Sequence, residues 1–103
     1  MNIEGSEDSK STIDRVNIRL LSDGVMNANY TNFYESFPVN YLGSSITVTN
    51  SYFEDSYINS SSRSHISGNT FNDSRIQVSS VAATISNNLF YGNGSYSHFW
   101  CMS

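Results

Sequence analysis

Charge is scarce in this chain. Of its 103 residues, 14% are Asp, Glu, Lys or Arg, with five basic against nine acidic side chains and a formal net charge of −4. There is no basic run and no alternation of basic with aromatic residues. The clustered cations that phosphate binding needs are missing, so nucleic acid is not expected as a partner. Cysteine occurs once, at Cys101, which excludes an intrachain disulfide and a cysteine-based zinc site. No apolar run is long enough to cross a bilayer, so no membrane span is expected. The N-terminal stretch carries no apolar signal core, and an exported protein would need its signal outside this stretch. No Ser, Cys or paired-carboxylate motif of a recognisable catalytic kind stands out.

What is abundant is Ser and Asn, 34 of the 103 residues, together with 14% aromatics. The aromatics argue against a disordered chain despite the polar bias. A chain this short allows one domain. Within it one phrase is repeated. Val48-Thr49-Asn50-Ser51-Tyr52-Phe53 is followed by Ile66-Ser67-Gly68-Asn69-Thr70-Phe71 and by Ile85-Ser86-Asn87-Asn88-Leu89-Phe90. A looser copy, Ala28-Asn29-Tyr30-Thr31-Asn32-Phe33, precedes them at a similar interval. A nearly fixed period of about 20 residues marks a stack of repeats, and it outranks local propensities.

Residues 1–12 read as a polar N-terminal arm. Over 13–21, Val16, Ile18 and Leu20 alternate with Asn17 and Arg19, which favours one half-buried strand over a short capping helix. Beyond the turn at Ser22-Asp23-Gly24, like residues fall into columns. Met26 with Ala28, Ile46 with Val48, Ser64 with Ile66 and Ala83 with Ile85 would point inward. Phe33, Phe53, Phe71 and Phe90 form a second set. Ile18, then Pro38 or Val39, Ile58, Ile76 with Val78, and Tyr96 form a third. No unit of about 20 residues buries its apolar face alone; stacking lines like residues into internal columns on rungs about 4.8 Å apart. Asn50, Gly68 and Asn87 share a corner position, as expected of residues that tolerate left-handed backbone. Ser51, Asn69 and Asn88 follow as a polar ladder.

This pattern, clearest in Ile66-Ser-Gly-Asn69-Thr-Phe71 and Ile85-Ser-Asn-Asn88-Leu-Phe90, resembles the right-handed parallel β-helix repeat family. That family includes pectate lyase-like enzymes, phage tailspikes and surface proteins. The resemblance covers about residues 25–96 and implies an all-β fold, a short right-handed parallel β-helix of about four rungs. The expected layout is an arm over 1–12, repeats over 13–97 and an apolar C-terminal tail over 98–103. That tail suits a chain cut from something longer or packed on another surface. The motif speaks to architecture and is nearly silent on chemistry.

A second phrase follows each phenylalanine: Phe33-Tyr-Glu35-Ser36, Phe53-Glu-Asp55-Ser56 and Phe71-Asn-Asp73-Ser74. Stacking puts Glu35, Asp55 and Asp73 in one column. Such a column could hold Ca²⁺, and the resemblance implies Ca²⁺ bridging to an acidic sugar; the alternative is ordinary turn chemistry of Asp and Ser. Thr47, His65 and Thr84 share an outward column and are candidate ligand contacts. Arg63 and Arg75 fall in no motif that would make either a catalytic base. Tyr52, Tyr57, Tyr91, Tyr96 and Trp100 either stack on sugar rings or cover the rims of the coil.

Three functions follow. The first is a non-catalytic extracellular or cell-surface repeat module, structural or carbohydrate-contacting, with no cofactor and with polysaccharide as its partner. The second is a fragment of a polysaccharide lyase or glycoside hydrolase, with Glu35, Asp55 and Asp73 as metal or acid/base residues. The third is a scaffold that self-associates end to end or as a trimer through an uncovered terminal rung.

Overall fold

Each repeat carries three short runs in which buried and exposed residues alternate, and the chain bends once between runs. It therefore winds into a coil and does not fold back as hairpins. The structure, a computed structural model, describes residues 1–41, 43–79 and 82–92, and the backbone of His98–Cys101. The first turn contains β1 (Asn2–Glu4), β2 (Ser11–Asp14) and β3 (Asn17–Leu20). The second contains β4 (Val25–Asn29), β5 (Thr31–Tyr34) and β6 (Phe37–Asn40), and the third β7 (Ser45–Thr49), β8 (Tyr52–Glu54) and β9 (Tyr57–Ser60). Then come β10 (Arg63–Ser67), β11 (Thr70–Asn72) and β12 (Arg75–Val78), and last β13 (Ala83–Ser86), β14 (Leu89–Tyr91) and β15 (His98–Cys101).

All strands pair in parallel with the equivalent strand of the next turn. Three five-stranded sheets result: A is β1-β4-β7-β10-β13, B is β2-β5-β8-β11-β14 and C is β3-β6-β9-β12-β15. The chain is an all-β parallel solenoid of about four turns. Its core is built of columns. Met26, Ile46, Ser64 and Ala83 are in register, and so are Ala28, Val48, Ile66 and Ile85. Phe33, Phe53, Phe71 and Phe90 stack nearly face to face, with centroids 4.4, 4.6 and 4.8 Å apart and interplanar angles of 6°, 9° and 14°. The first three rings are fully buried. Each contributes about 1.5–3 kcal/mol by burial and each ring pair about 0.5–1.5 kcal/mol more. In sheet C, Ile18 faces Pro38 and Ile58 faces Ile76. Pro38 is buried and Val39 half-buried, so Pro38 takes the inward place.

Between the copies of the repeated phrase, the uneven period has one source. The corner from A to B is a single left-handed residue, Tyr30, Asn50, Gly68 or Asn87, with φ of 51°, 51°, 71° and 55°. The corner from B to C is another, Arg15, Glu35, Asp55 or Asp73, at 55°, 47°, 50° and 48°. Neither changes length across these turns. The link from C back to A does: residues 41–44 join β6 to β7, while Ser61 and Ser62 alone join β9 to β10. That shorter link is what contracts the interval between the copies that begin at Val48 and Ile66.

Both tight corners are closed by side chains from the next rung. At the first, Thr31 N donates to Ser51 Oγ (3.1 Å), Ser51 N to Asn69 Oδ1 (2.8 Å) and Asn69 N to Asn88 Oδ1 (3.0 Å). At the second, Val16 N donates to Ser36 Oγ (3.1 Å), Ser36 N to Ser56 Oγ (2.9 Å) and Ser56 N to Ser74 Oγ (2.9 Å). Each serine of this second ladder also donates to the carbonyl two residues back, at 2.8–2.9 Å. A left-handed corner interrupts the backbone ladder, and a buried amide left unpaired there is costly. Ser and Asn supply the missing acceptor, which explains why a buried lattice consumes so much of them.

Three expectations are corrected. Residues 1–12 are not a free arm: Asn2–Glu4 pairs with β4, and Ser11 and Thr12 belong to β2. The edge of β4 presents unpaired backbone groups that even a polar strand satisfies, and Ile3 faces Ala28 beside the core. Residues 13–21 are not one strand, because the corner at Arg15 divides them and leaves Val16 42% exposed while Ile18 and Leu20 are buried. Residues 98–101 of the apolar tail form β15, which sets Phe99 opposite Ile76. Tyr96, expected in that column, lies outside the described residues. β14 ends at Tyr91 and β15 begins at His98, with Phe99 opposite Ile76, so a constant period misplaces the column.

Candidate functional site

Glu35, Asp55 and Asp73 occupy the B-to-C corner one rung apart, as the repeat implies. Their backbone role is concrete. All three sit at positive φ, and their amides donate across the rung to the carbonyls of Glu54, Asn72 and Tyr91 at 3.0, 3.2 and 2.9 Å. Asp tolerates this conformation better than most side chains, whereas Glu does not share the advantage. Asp55 is exposed, and Glu35 likewise. Among the described residues, no group of three His, Cys, Asp or Glu side chains gathers closely enough to hold a metal ion. Gly92 ends the column, and a Cβ there would meet the Asp73 carboxylate.

Thr47, His65 and Thr84 do come together. They are in register on the outer face of sheet A, continued backwards by Asn27 and Asn2. A parallel column, Asn29, Thr49, Ser67 and Ser86, runs beside them. Its groups bond one another: Thr49 Oγ1 donates to Asn29 Oδ1 (2.9 Å) and Ser86 Oγ to Ser67 Oγ (3.2 Å). Near this sheet's leading edge, Arg63 and Asp23 line a shallow cleft of about 430 Å³ with Gly43, Ser44 and Ser62.

Sheet C presents a different surface. Phe37, Tyr57 and Arg75 form one outward column. The rings of Phe37 and Tyr57 are 4.7 Å apart, and the Arg75 guanidinium lies 5.1 Å from the Tyr57 centroid. Beside them run Arg19, Val39, Asn59 and Gln77. A groove of about 300 Å³ crosses this face between Phe37, Val39, Tyr41, Tyr57, Asn59 and Arg19. Tyr41 is 43% exposed at its rim. The acidic corner flanks this face, since Asp55 is two residues before Tyr57 and Asp73 two before Arg75.

Sheet B carries a polar network on its outer face. Tyr52 donates its hydroxyl to Glu54 (2.8 Å) and accepts from Asn72 Nδ2 (3.0 Å). Tyr34 packs edge-on to Tyr52 at 6.1 Å. Burial is the main cause that pushes the Tyr52 phenol up to about 12; the bond to Glu54 acts in the same direction and the bond from Asn72 opposes it. The sequence singles out Tyr52 among the aromatics but does not join it to Glu54 and Asn72. The signal was available: Tyr52 and Glu54 flank the inward Phe53, so both point outward together. The side chains of His98, Phe99, Trp100 and Cys101 lie outside the described residues.

No protein-family model, curated protein or solved structure matches this chain.

Proposed function

We propose that the chain is a non-catalytic β-solenoid module that contacts polysaccharide, as part of a larger extracellular or surface protein of the tailspike-like kind. The groove across sheet C carries this reading. Tyr41, exposed at its rim, and the outer edges of the Phe37–Tyr57 stack offer apolar surface to the C–H faces of a sugar, and Arg19 and Asn59 offer donors to its hydroxyls, the mixture typical of small polar-ligand sites. The repeat supports a polymer as ligand, because a surface whose outward positions recur every rung suits a chain that itself repeats.

The test is affinity electrophoresis of the intact chain through gels containing neutral and acidic polysaccharides, with Tyr41→Ala and Tyr57→Ala as variants. Retardation by at least one polymer, weakened in both variants, is expected. Equal mobility in every gel would remove this reading. One observation favours a second reading, a polysaccharide lyase or glycosidase: the acidic corner column runs alongside the groove. That reading requires release of unsaturated or reducing sugar ends and a rise in melting temperature with millimolar Ca²⁺. The module reading expects neither.

A further inference from the structure

Only one A-to-B corner among the described residues departs from a single residue. In register, Glu4 matches Asn29 and Ser11 matches Thr31, so residues 5–10 stand where Tyr30 alone stands in the next turn. The inserted loop is held, not loose. Gly5 N donates to Asn29 O (2.9 Å), Ser11 N to Tyr30 O (3.1 Å) and Ser11 Oγ to Glu4 O (2.9 Å), and Ser6 and Ser9 exchange backbone bonds at 2.9 and 3.2 Å. A Cβ on Gly5 would collide with the Tyr30 carbonyl, so glycine is what allows the loop this close.

The loop overhangs a groove of about 410 Å³ whose walls include Glu7, Lys10, Tyr30, Asn32, Tyr52 and Thr70. Two features mark it as built. Tyr52 is locked by Glu54 and Asn72, so its ring is already oriented. Tyr30 holds a left-handed φ of 51° in a column otherwise filled by Asn50, Gly68 and Asn87. That conformation costs a tyrosine about 1–2 kcal/mol, a cost the other three largely avoid. Tyr30 stands in the groove wall, so this strained corner is part of the site.

We propose that this groove binds a short neutral saccharide of one or two rings. The lining is mainly polar: Asn32, Asn50 and Thr70 supply amide and hydroxyl partners for sugar hydroxyls, and Tyr30 and Tyr52 stand beside them. Glu7 and Lys10 cancel in formal charge and make no ion pair with each other. The volume falls in the range of small-ligand sites. The groove is on sheet B and its corner, away from the sheet C face, and does not depend on the reading of that face.

The test is an amide NMR titration of the intact chain with cellobiose, lactose and N,N′-diacetylchitobiose, with digalacturonate as the charged comparison. At least one neutral disaccharide should produce saturable shifts at Tyr30, Asn32 and Tyr52. Tyr52→Ala should weaken binding about tenfold, or about 1.4 kcal/mol. Lys10→Gln, on the loop and away from the core, should weaken it without altering the rest of the spectrum. Tyr57→Ala should leave it unchanged, which separates this site from the sheet C groove. The proposal is overturned if no neutral disaccharide gives saturable shifts, if shifts fall on sheet C instead, or if digalacturonate alone binds.

Discussion

Asp55 and Ser56 are neighbours in one corner, yet they carry opposite weights. Ser56 Oγ accepts from the Ser36 amide at 2.9 Å and donates to the Glu54 carbonyl at 2.8 Å. Ser36 is fully buried and Ser56 is 3% exposed. In Ser56→Ala the Glu54 carbonyl keeps the Glu35 amide as a donor (3.0 Å), so it is not orphaned. The Ser36 amide has no replacement acceptor, and water cannot reach it without opening the rung. A buried donor left unsatisfied costs about 1–3 kcal/mol. At about 4–8 °C per kcal/mol for a domain of this size, a mid-range loss should lower the melting temperature by about 8–16 °C. Asp55→Asn should change stability by less than about 0.5 kcal/mol, because Asn also accepts left-handed backbone and the carboxylate is exposed. Urea and thermal melts by circular dichroism measure both, and hydrogen exchange at Ser36 should accelerate in Ser56→Ala alone. A stable Ser56→Ala, or an Asp55→Asn more damaging than it, would refute the account of the corner.

Phe53 lies between two parallel rings, and Phe53→Ala should cost about 3–5 kcal/mol by chemical denaturation, with exchange protection lost first in the adjoining turns. Ser64 is buried between Ile46 and Ala83, and its hydroxyl has no hydrogen-bond partner among the described residues. Ser64→Ala should therefore stabilise the chain by about 1 kcal/mol, seen as a higher urea midpoint. Tyr52 should ionise late in an alkaline absorbance titration, near pH 12. Because its folded pKa lies above the unfolded value of about 10, the stability it contributes is complete below about pH 10 and is lost as pH rises from about 10 towards 12. Tyr52→Phe should flatten that part of the stability profile.

The phrase Ile66-Ser-Gly-Asn69-Thr-Phe71 and its copies were sufficient to foresee the solenoid, the phenylalanine stack and the left-handed corner. Each follows from a side-chain preference that acts at one position and recurs at a near-constant spacing. Ser36, Ser56 and Ser74 were visible in the same way, yet their function was not. A serine after an acidic residue looks like any turn, and only pairing between rungs shows that its hydroxyl replaces a backbone acceptor. The candidate sites were legible in reverse order of interest. Thr47, His65 and Thr84 share a column by period alone. The grooves on sheets B and C were not readable, because each combines side chains from different rungs and strands with a variable link.

Which residues face inward and which positions turn could be read along the chain, since both depend on local chemistry and a period. What residues 1–12 do, where the period absorbs its insertions and which outward residues meet were settled only by the packing of turn on turn. Strand pairing across turns supplies a partner to backbone that is polar and unremarkable in isolation, so Asn2–Glu4 becomes a strand although nothing in its composition asks for one. It also brings Glu7 and Lys10 over Tyr30 and Tyr52, a juxtaposition set by an inserted loop and by no repeating signal.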